Sequence, residues 1–272
     1  MRQRLGGNRS ERTASFGETT PLLGGKATLL SAGHVLGAAQ LFFESDAGSM
    51  LYTGDFKMRP SLSVPRAEWC TADTLVMETT FGLPKYRMPP TTEVLDAIIA
   101  WCRRQLDENT TPVLFAYSLG KAQELVSALI AAGLTPMLHE AAWKICELYR
   151  EFLPAFPTNY RRWKPSECEG HVVIWPHTRD TGDMDRRFGK YRSAAVTGWA
   201  VESSTKFRYG SDAAFALSDH ADYDELLRAV EIVQPKRVLT VHGFAAEFAA
   251  DLRRRGVEAW ALAQENQMEL LF

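Results

Sequence analysis

Histidine is scarce in this chain, six residues in 272, and no two of them form a His-x-His or His-x-x-x-His pair. That absence removes the clustered imidazoles on which zinc hydrolases usually rely. Cysteine is as sparse: Cys70, Cys102, Cys146 and Cys168 stand far apart with no Cys-x-x-Cys spacing. This excludes a zinc ribbon and a disulfide framework and points to reduced thiols in a cytoplasmic setting. No apolar run reaches the roughly 18 residues of a membrane span, so none is expected. Several arginines lie between Met1 and Thr13, but Thr, Gly and Pro follow them instead of an apolar segment, so the start is not a secretory signal. A basic excess is missing too: the net charge is -2, and a polyanion would have to be held by a local patch.

What is present is ordinary globular material, 46% hydrophobic and 24% charged, long enough for one large domain or two smaller ones. Short apolar runs bounded by Gly or Asp at 27–33, 38–45 and 49–56 predict an antiparallel meander. Residues 74–79 predict a buried strand ending on a carboxylate. From Pro89 onward helix and strand alternate. A helix capped by Thr92 carries Val94, Leu95, Ile98, Ile99, Cys102 and Leu106 at the 3.6-residue period. Strands at 112–117, 135–140 and 171–176 alternate with helices around Leu125–Ile130 and Trp143–Phe152. Further strands are expected at 194–199, 213–218, 237–243 and 257–262, with helices at 223–233 and 244–255. The pattern reads as a β-rich domain split into two parts, with an α/β domain inserted between them.

Candidate chemistry collects where strands end. Gly33-His34, Gly54-Asp55 and Val241-His242-Gly243 each put an imidazole or carboxylate directly after a strand, at the edge where ligands gather in α/β folds. Ser218-Asp219-His220-Ala221-Asp222 packs two carboxylates and an imidazole into a strand-to-helix junction, where Asp222 also reads as an N-cap with Glu225 at the capping-box position. Ser118-Leu119-Gly120-Lys121 lies between a strand and a helix N-terminus, a place that favours phosphate. An ordinary capped turn is the alternative. Trp199, in Thr197-Gly198-Trp199, is placed either to stack on a base or to fill the core. The arginine-rich stretch 160–192 carries five acidic residues among its cations and reads as solvated surface. His139, His171 and His177 lie away from these motifs and read as structural.

Seven of these segments in order resemble the β-CASP nucleases of the metallo-β-lactamase fold: Gly33-His34-Val35-Leu36-Gly37-Ala38, Tyr52-Thr53-Gly54-Asp55-Phe56, Met77-Glu78-Thr79-Thr80-Phe81-Gly82, Phe115 to Glu124, Thr197-Gly198-Trp199, Leu217 to Asp222 and Val241-His242-Gly243. The likeness runs from residue 27 to about residue 262 and looks closest to the bacterial ligase-associated DNA exonucleases. It implies a metallo-β-lactamase αββα sandwich, α/β in class and lacking its first strands, with an inserted α/β β-CASP domain. Residues 1–83 would be the first part of the sandwich, 84–190 the insert and 191–272 the second part. The resemblance also implies roles. His34, Asp55 and His242 would be metal ligands, with Asp55 shared between two divalent ions, zinc or alternatively manganese. His220 would protonate the departing oxygen and Glu78 would orient it, while Ser118, Gly120, Lys121, Thr197 and Trp199 would meet substrate. DNA in preference to RNA is the implied partner, with a functional link to an ATP-dependent DNA ligase.

One departure stands out. The family's His-x-His-x-Asp-His signature belongs upstream of His34, and no histidine precedes His34 here. The opening Met1-Arg2-Gln3-Arg4-Leu5-Gly6 reads like the interior of the helix that follows the signature, so an internal start is expected. The readings carried forward are a DNA exonuclease, an RNA-processing endonuclease of the same family, and a non-catalytic nucleic-acid-binding subunit.

Overall fold

The structure, a computed structural model, describes residues 13–165, 167–177 and 184–262. The opening Met1–Gly6, and Arg179, Asp180 and Asp183 of the arginine-rich stretch, lie outside the described residues. Thr19–Leu22 (β1) pairs antiparallel with Gly25–Ser31 (β2) across Leu23-Gly24, both at positive φ. Two successive positive φ values match the twist of a tight hairpin. β1 is not among the expected strands; it contains Pro21, and proline is tolerated in a strand chiefly at a sheet edge, which is where β1 lies.

The expected meander is present: β2, Ala39–Ser45 (β3) and Gly48–Tyr52 (β4) are antiparallel neighbours. Thr74–Glu78 (β5) then joins β4 in parallel, followed across the sheet by Arg237–Val241 (β12) and Ala259–Ala261 (β13). The order is β1-β2-β3-β4-β5-β12-β13. Within the described residues this layer holds one sheet, in which the parallel β4–β5 pairing joins the meander to the parallel strands. Helices Tyr223–Val233 (α6) and Ala245–Arg254 (α7) cover it, burying Leu226, Val233, Phe248 and Leu252 against Leu51, Leu75, Met77 and Val238.

Between β5 and β12 in sequence lies a second sheet, entirely parallel. It comprises Thr111–Phe115 (β6), Pro136–Leu138 (β7), Arg161–Arg162 (β8), Val172–Trp175 (β9), Tyr191–Val196 (β10) and Ala213–Phe215 (β11), in the order β11-β10-β6-β9-β7-β8. Helices Thr91–Asp107 (α1), Lys121–Ala131 (α2) and Glu140–Phe152 (α3) pack on it through Ile98, Cys102, Leu125, Leu129 and Cys146. A smaller cluster of Val113, Phe115, Val173, Trp175, Met184 and Phe188 covers the other side. Met184–Phe188 (α4) and Thr205–Arg208 (α5) are single turns, too short to show a period in sequence. The β6 run Thr-Pro-Val-Leu-Phe is buried throughout, as parallel strands covered on both faces must be.

Of the boundaries that differ from expectation, two change how the chain is divided or capped. α1 begins at Thr91 after Pro90, with no side-chain cap, so Thr92 lies inside the first turn and caps nothing. The passage back to the first sheet falls later than residue 190, since β10 and β11 bond in parallel to the second sheet. Ala194, Ala195 and Val196 form an unbroken buried run, which suits an inner parallel strand and not a half-solvated one. The four cysteines are free, as expected. Among the described residues no helix is long and apolar enough to cross a membrane.

Candidate active site

Because β3 is antiparallel to both its neighbours, β2 and β4 run the same way, and β4 is parallel to β5 and β5 to β12. His34, Asp55, Glu78 and His242 therefore all leave the first sheet at one edge. The turn after β2 is closed by Ala32 N–H donating to the Ala38 carbonyl at 3.0 Å. Gly33 sits at φ +71°, and a Cβ there would lie 2.4 Å from the Lys57 carbonyl. No other residue fits that approach without moving the chain beside Asp55.

This turn presents His34 with Nδ1 2.9 Å from the Asp219 carbonyl. A carbonyl only accepts, so Nδ1 carries the hydrogen and the lone pair of the neutral ring is on Nε2. Nε2 lies 3.9 Å from Asp55 Oδ2. That gap is one an ion bonded to both atoms at about 2.0–2.2 Å can close. A carbonyl that fixes the tautomer of a ligating imidazole is also the usual outer support of such ligands. His34 Nε2 and Asp55 Oδ2 are thus spaced as two donors to one divalent cation would be.

His220 packs its ring 4.6 Å from that of His34, centroid to centroid. Its Nδ1 lies 2.9 and 3.0 Å from the two oxygens of Glu78, a carboxylate 1% exposed at the end of β5. Glu78 also accepts from the Phe56 N–H at 2.9 Å and from the Thr80 hydroxyl. Burial alone would raise the Glu78 pKa, but the His220 charge and these hydrogen bonds outweigh it and hold the group below its ordinary value. For His220, burial pulls down, while the charge and hydrogen bond of Glu78, then Asp219 and Asp55, push it up to about 9. With Nδ1 committed to Glu78, Nε2 is the ring atom left for chemistry.

Among the described residues, two groups of three donors come within 4.8 Å of one another: His34, Asp219 and His220, and Asp55, Glu78 and His220. Asp219 is already engaged by Lys121 at 3.0 Å, and Glu78 by His220. The donors that face each other without such commitment are therefore His34 and Asp55, two where zinc sites use three or four protein ligands. His242 is outside both groups. It follows β12 one residue beyond the Val241–Glu78 pairing, at φ +60°, and its carbonyl accepts from the Thr79 hydroxyl. A left-handed histidine is uncommon and marks a conformation imposed by its surroundings.

The predicted substrate residues divide. Lys121 is 2% exposed, paired with Asp219 and laid over the Tyr117 ring at 4.9 Å, so it is not offered to a phosphate. The turn before α2 is likewise filled: Gly120 N–H donates to Gln123 Oε1 at 2.7 Å and Ala122 N–H to the Tyr117 carbonyl. Ser118 contributes its carbonyl to Gln123 Nε2. The anion cradle read from Ser-Leu-Gly-Lys is satisfied from within the protein. Thr197 is buried, and its hydroxyl accepts from the Trp199 N–H to cap one turn of 3-10 helix, Gly198–Val201. Trp199 is half-buried against Phe81 and Tyr86, at 4.7 and 5.4 Å between ring centroids, with Phe81 in turn 6.3 Å from His220.

Asp222 caps α6 as expected, with its side chain accepting from Glu225 N–H at 3.0 Å and Glu225 returning the bond to Asp222 N–H at 3.1 Å. His139 has a structural role, accepting from Ala141 N–H at the start of α3. Sequence reasoning missed Lys57, whose Nζ lies 2.9 Å from both oxygens of Glu124 in a pair 1% and 3% exposed. It also missed Arg59, which spans Asp222, Glu225 and the His220 carbonyl. The available signal was the closeness of Lys57 and Arg59 to Asp55 in sequence.

A family profile described as "Zn-dependent metallo-hydrolase RNA specificity domain" matches residues 213–262, the stretch that holds His220 and His242. The chain is 47% identical over 272 residues to a protein of Opitutus terrae described as a probable DNA ligase, covering 99% of this chain and 27% of that one. It is 32% identical to the cleavage and polyadenylation specificity factor subunit 3 of Dictyostelium discoideum, over 82% of this chain and 36% of the relative. It is 22% identical to the DNA cross-link repair 1A protein of Mus musculus, over 87% and 25%. The matched region is therefore between a quarter and somewhat over a third of the length of each of these relatives.

Proposed function

Since the chain belongs to the metallo-β-lactamase β-CASP nuclease family, we propose that it serves as a metal-dependent DNA exonuclease working alongside an ATP-dependent DNA ligase in the cytoplasm. The observation that carries this reading is His220, its Nδ1 held by a buried Glu78 and its ring set against His34 beside Asp55. His220 is protonated at neutral pH, since its pKa is pushed up to about 9, and so holds the proton that a departing oxygen needs. Glu78 fixes the ring and stabilises its charge. His34 and Asp55 would hold one divalent ion, with Asp55 and His242 toward a second. When bound, such ions supply Lewis acidity and a water of lowered pKa. With few donors in this chain, metal retention is expected to be weak, and activity to need added zinc or manganese.

DNA as substrate and the ligase link draw on the relatives described as a probable DNA ligase and as a DNA cross-link repair protein. A second reading, an RNA-processing endonuclease, draws on the RNA specificity description of residues 213–262 and on the polyadenylation-factor relative. End-labelled DNA and RNA of one sequence, incubated with the chain and added zinc or manganese, separate them. Mononucleotides from DNA support the first reading, and internal RNA fragments the second. Binding without cleavage of either, under both ions, would overturn the enzymatic reading in favour of a nucleic-acid-binding subunit.

A further inference from the structure

We infer that the first turn of α2 is a two-pronged positioning device for the site, with Lys121 and Glu124 as its prongs. The inference rests on the nuclease reading for what the site does. The two residues are three apart and so share a helix face, yet they reach different parts of the protein. Lys121 Nζ lies 3.0 Å from Asp219 Oδ1, and Glu124 places both oxygens 2.9 Å from Lys57 Nζ. All four side chains are buried, none more than 10% exposed.

Each prong ends beside a group of the site. Asp219 is the residue whose carbonyl orients His34, and it directly precedes His220. Lys57 directly follows Phe56, whose N–H binds Glu78, and it lies two residues after Asp55. Its own N–H donates to the Ala32 carbonyl at 3.0 Å, inside the turn that carries His34. One helical turn on the second sheet thus pins both the Asp55 segment of the first sheet and the loop between β11 and α6. Buried ion pairs give little net stability over apolar side chains of the same volume, so stability alone is a poor reason to place two of them here. They do fix geometry, because each ammonium is held at hydrogen-bonding distance by one carboxylate. Lys121 and Glu124 are positioning residues, since they act on the site through Asp219 and Lys57.

The test uses the full chain carrying Lys57→Met with Glu124→Leu, which removes one pair whole and strands no charge. We expect the melting temperature to stay within a few degrees of the parent's. Zinc affinity should fall about tenfold to a hundredfold, the range seen when outer supports of metal ligands are lost. In the metal-free protein the imidazole ¹⁵N resonances of His34 and His220 should shift. A double variant that folds, keeps zinc affinity within about twofold and leaves both resonances in place would overturn the inference. If it does not fold, Glu124→Asp, which keeps both charges and shortens the prong by one methylene, decides on the same resonances. If the parent itself binds no zinc, the metal part of the nuclease reading fails, and the resonances still decide on the clamp.

Discussion

Glu78 holds His220 through both carboxylate oxygens, at 2.9 and 3.0 Å from one ring nitrogen, while being itself all but sealed from solvent. This pair sets the protonation of the imidazole. Burial works against the His220 charge, and Glu78 contributes most to overcoming it, ahead of Asp219 and Asp55. Replacing Glu78 with Gln keeps the shape and removes the charge. The His220 pKa is then expected to fall from about 9 toward the ordinary value of roughly 6.5. Titration of the ring C–H resonance by NMR in the metal-free protein measures this, and a pKa that stays near its starting value would remove Glu78 as the cause.

The same pair makes stability depend on pH in a defined direction. A histidine whose pKa is raised on folding stabilises fully below its unfolded value of roughly 6.5. That contribution is lost as pH climbs through about 9. Glu78, held below its ordinary value, contributes fully above roughly pH 4.3 and loses its contribution as pH falls through its lowered pKa. The pair is therefore at full strength between these two limits. Urea denaturation of the metal-free chain should show stability declining from neutral to alkaline pH, and His220→Gln should flatten that decline. An alkaline decline as steep in the variant as in the parent would assign it to other groups.

If His220 delivers the proton, its removal should slow cleavage without loosening the ion. For His220→Ala we expect turnover on DNA to drop by about 10²–10⁴-fold, the usual worth of a positioned acid, with zinc affinity little changed because His34 and Asp55 remain. Titration with zinc alongside the nuclease assay checks both halves. Loss of zinc binding together with activity would make His220 a ligand instead.

Much of this was legible in the chain itself. The β2–β3–β4 meander shows in short apolar runs bounded by Gly or Asp, the helices that follow show in the 3.6-residue period, and the capping box Asp222–Glu225 reads directly from its spacing. That His34, Asp55, Glu78 and His220 belong together was implied by the resemblance their motifs carry, since a strand-end position taken singly suits a turn residue as well as a ligand. The buried ion pairs were not legible, because Lys57 and Glu124 are 67 residues apart and Lys121 and Asp219 are 98 apart. Their pairing is set by how one sheet meets the other. Lys121 illustrates the consequence: a lysine after Ser-Leu-Gly at a helix start has the local look of a phosphate ligand, and only the distant Asp219 turns it inward.

Gly243 gives a direct test of how closely β5 and β12 must end. It sits at φ +56°, and a Cβ would lie 2.4 Å from the Thr79 carbonyl oxygen and 2.5 Å from Thr80 Cα, both backbone atoms that cannot swing aside. Gly133, which follows α2, has φ +80° with nothing within 4 Å of its Cβ position. Alanine at Gly133 should therefore cost only the left-handed conformation, about 1–2 kcal/mol. Alanine at Gly243 should cost that plus a further ~1–3 kcal/mol of overpacking. The added strain has a direction, since it must part the strand ends that carry Glu78 and His242, and zinc affinity should fall in Gly243→Ala while Gly133→Ala retains it. Urea denaturation and zinc titration of the two variants side by side measure both effects. Equal losses of stability, with zinc binding untouched in each, would mean that the close approach of Gly243 to Thr79 and Thr80 does not govern the geometry of this edge.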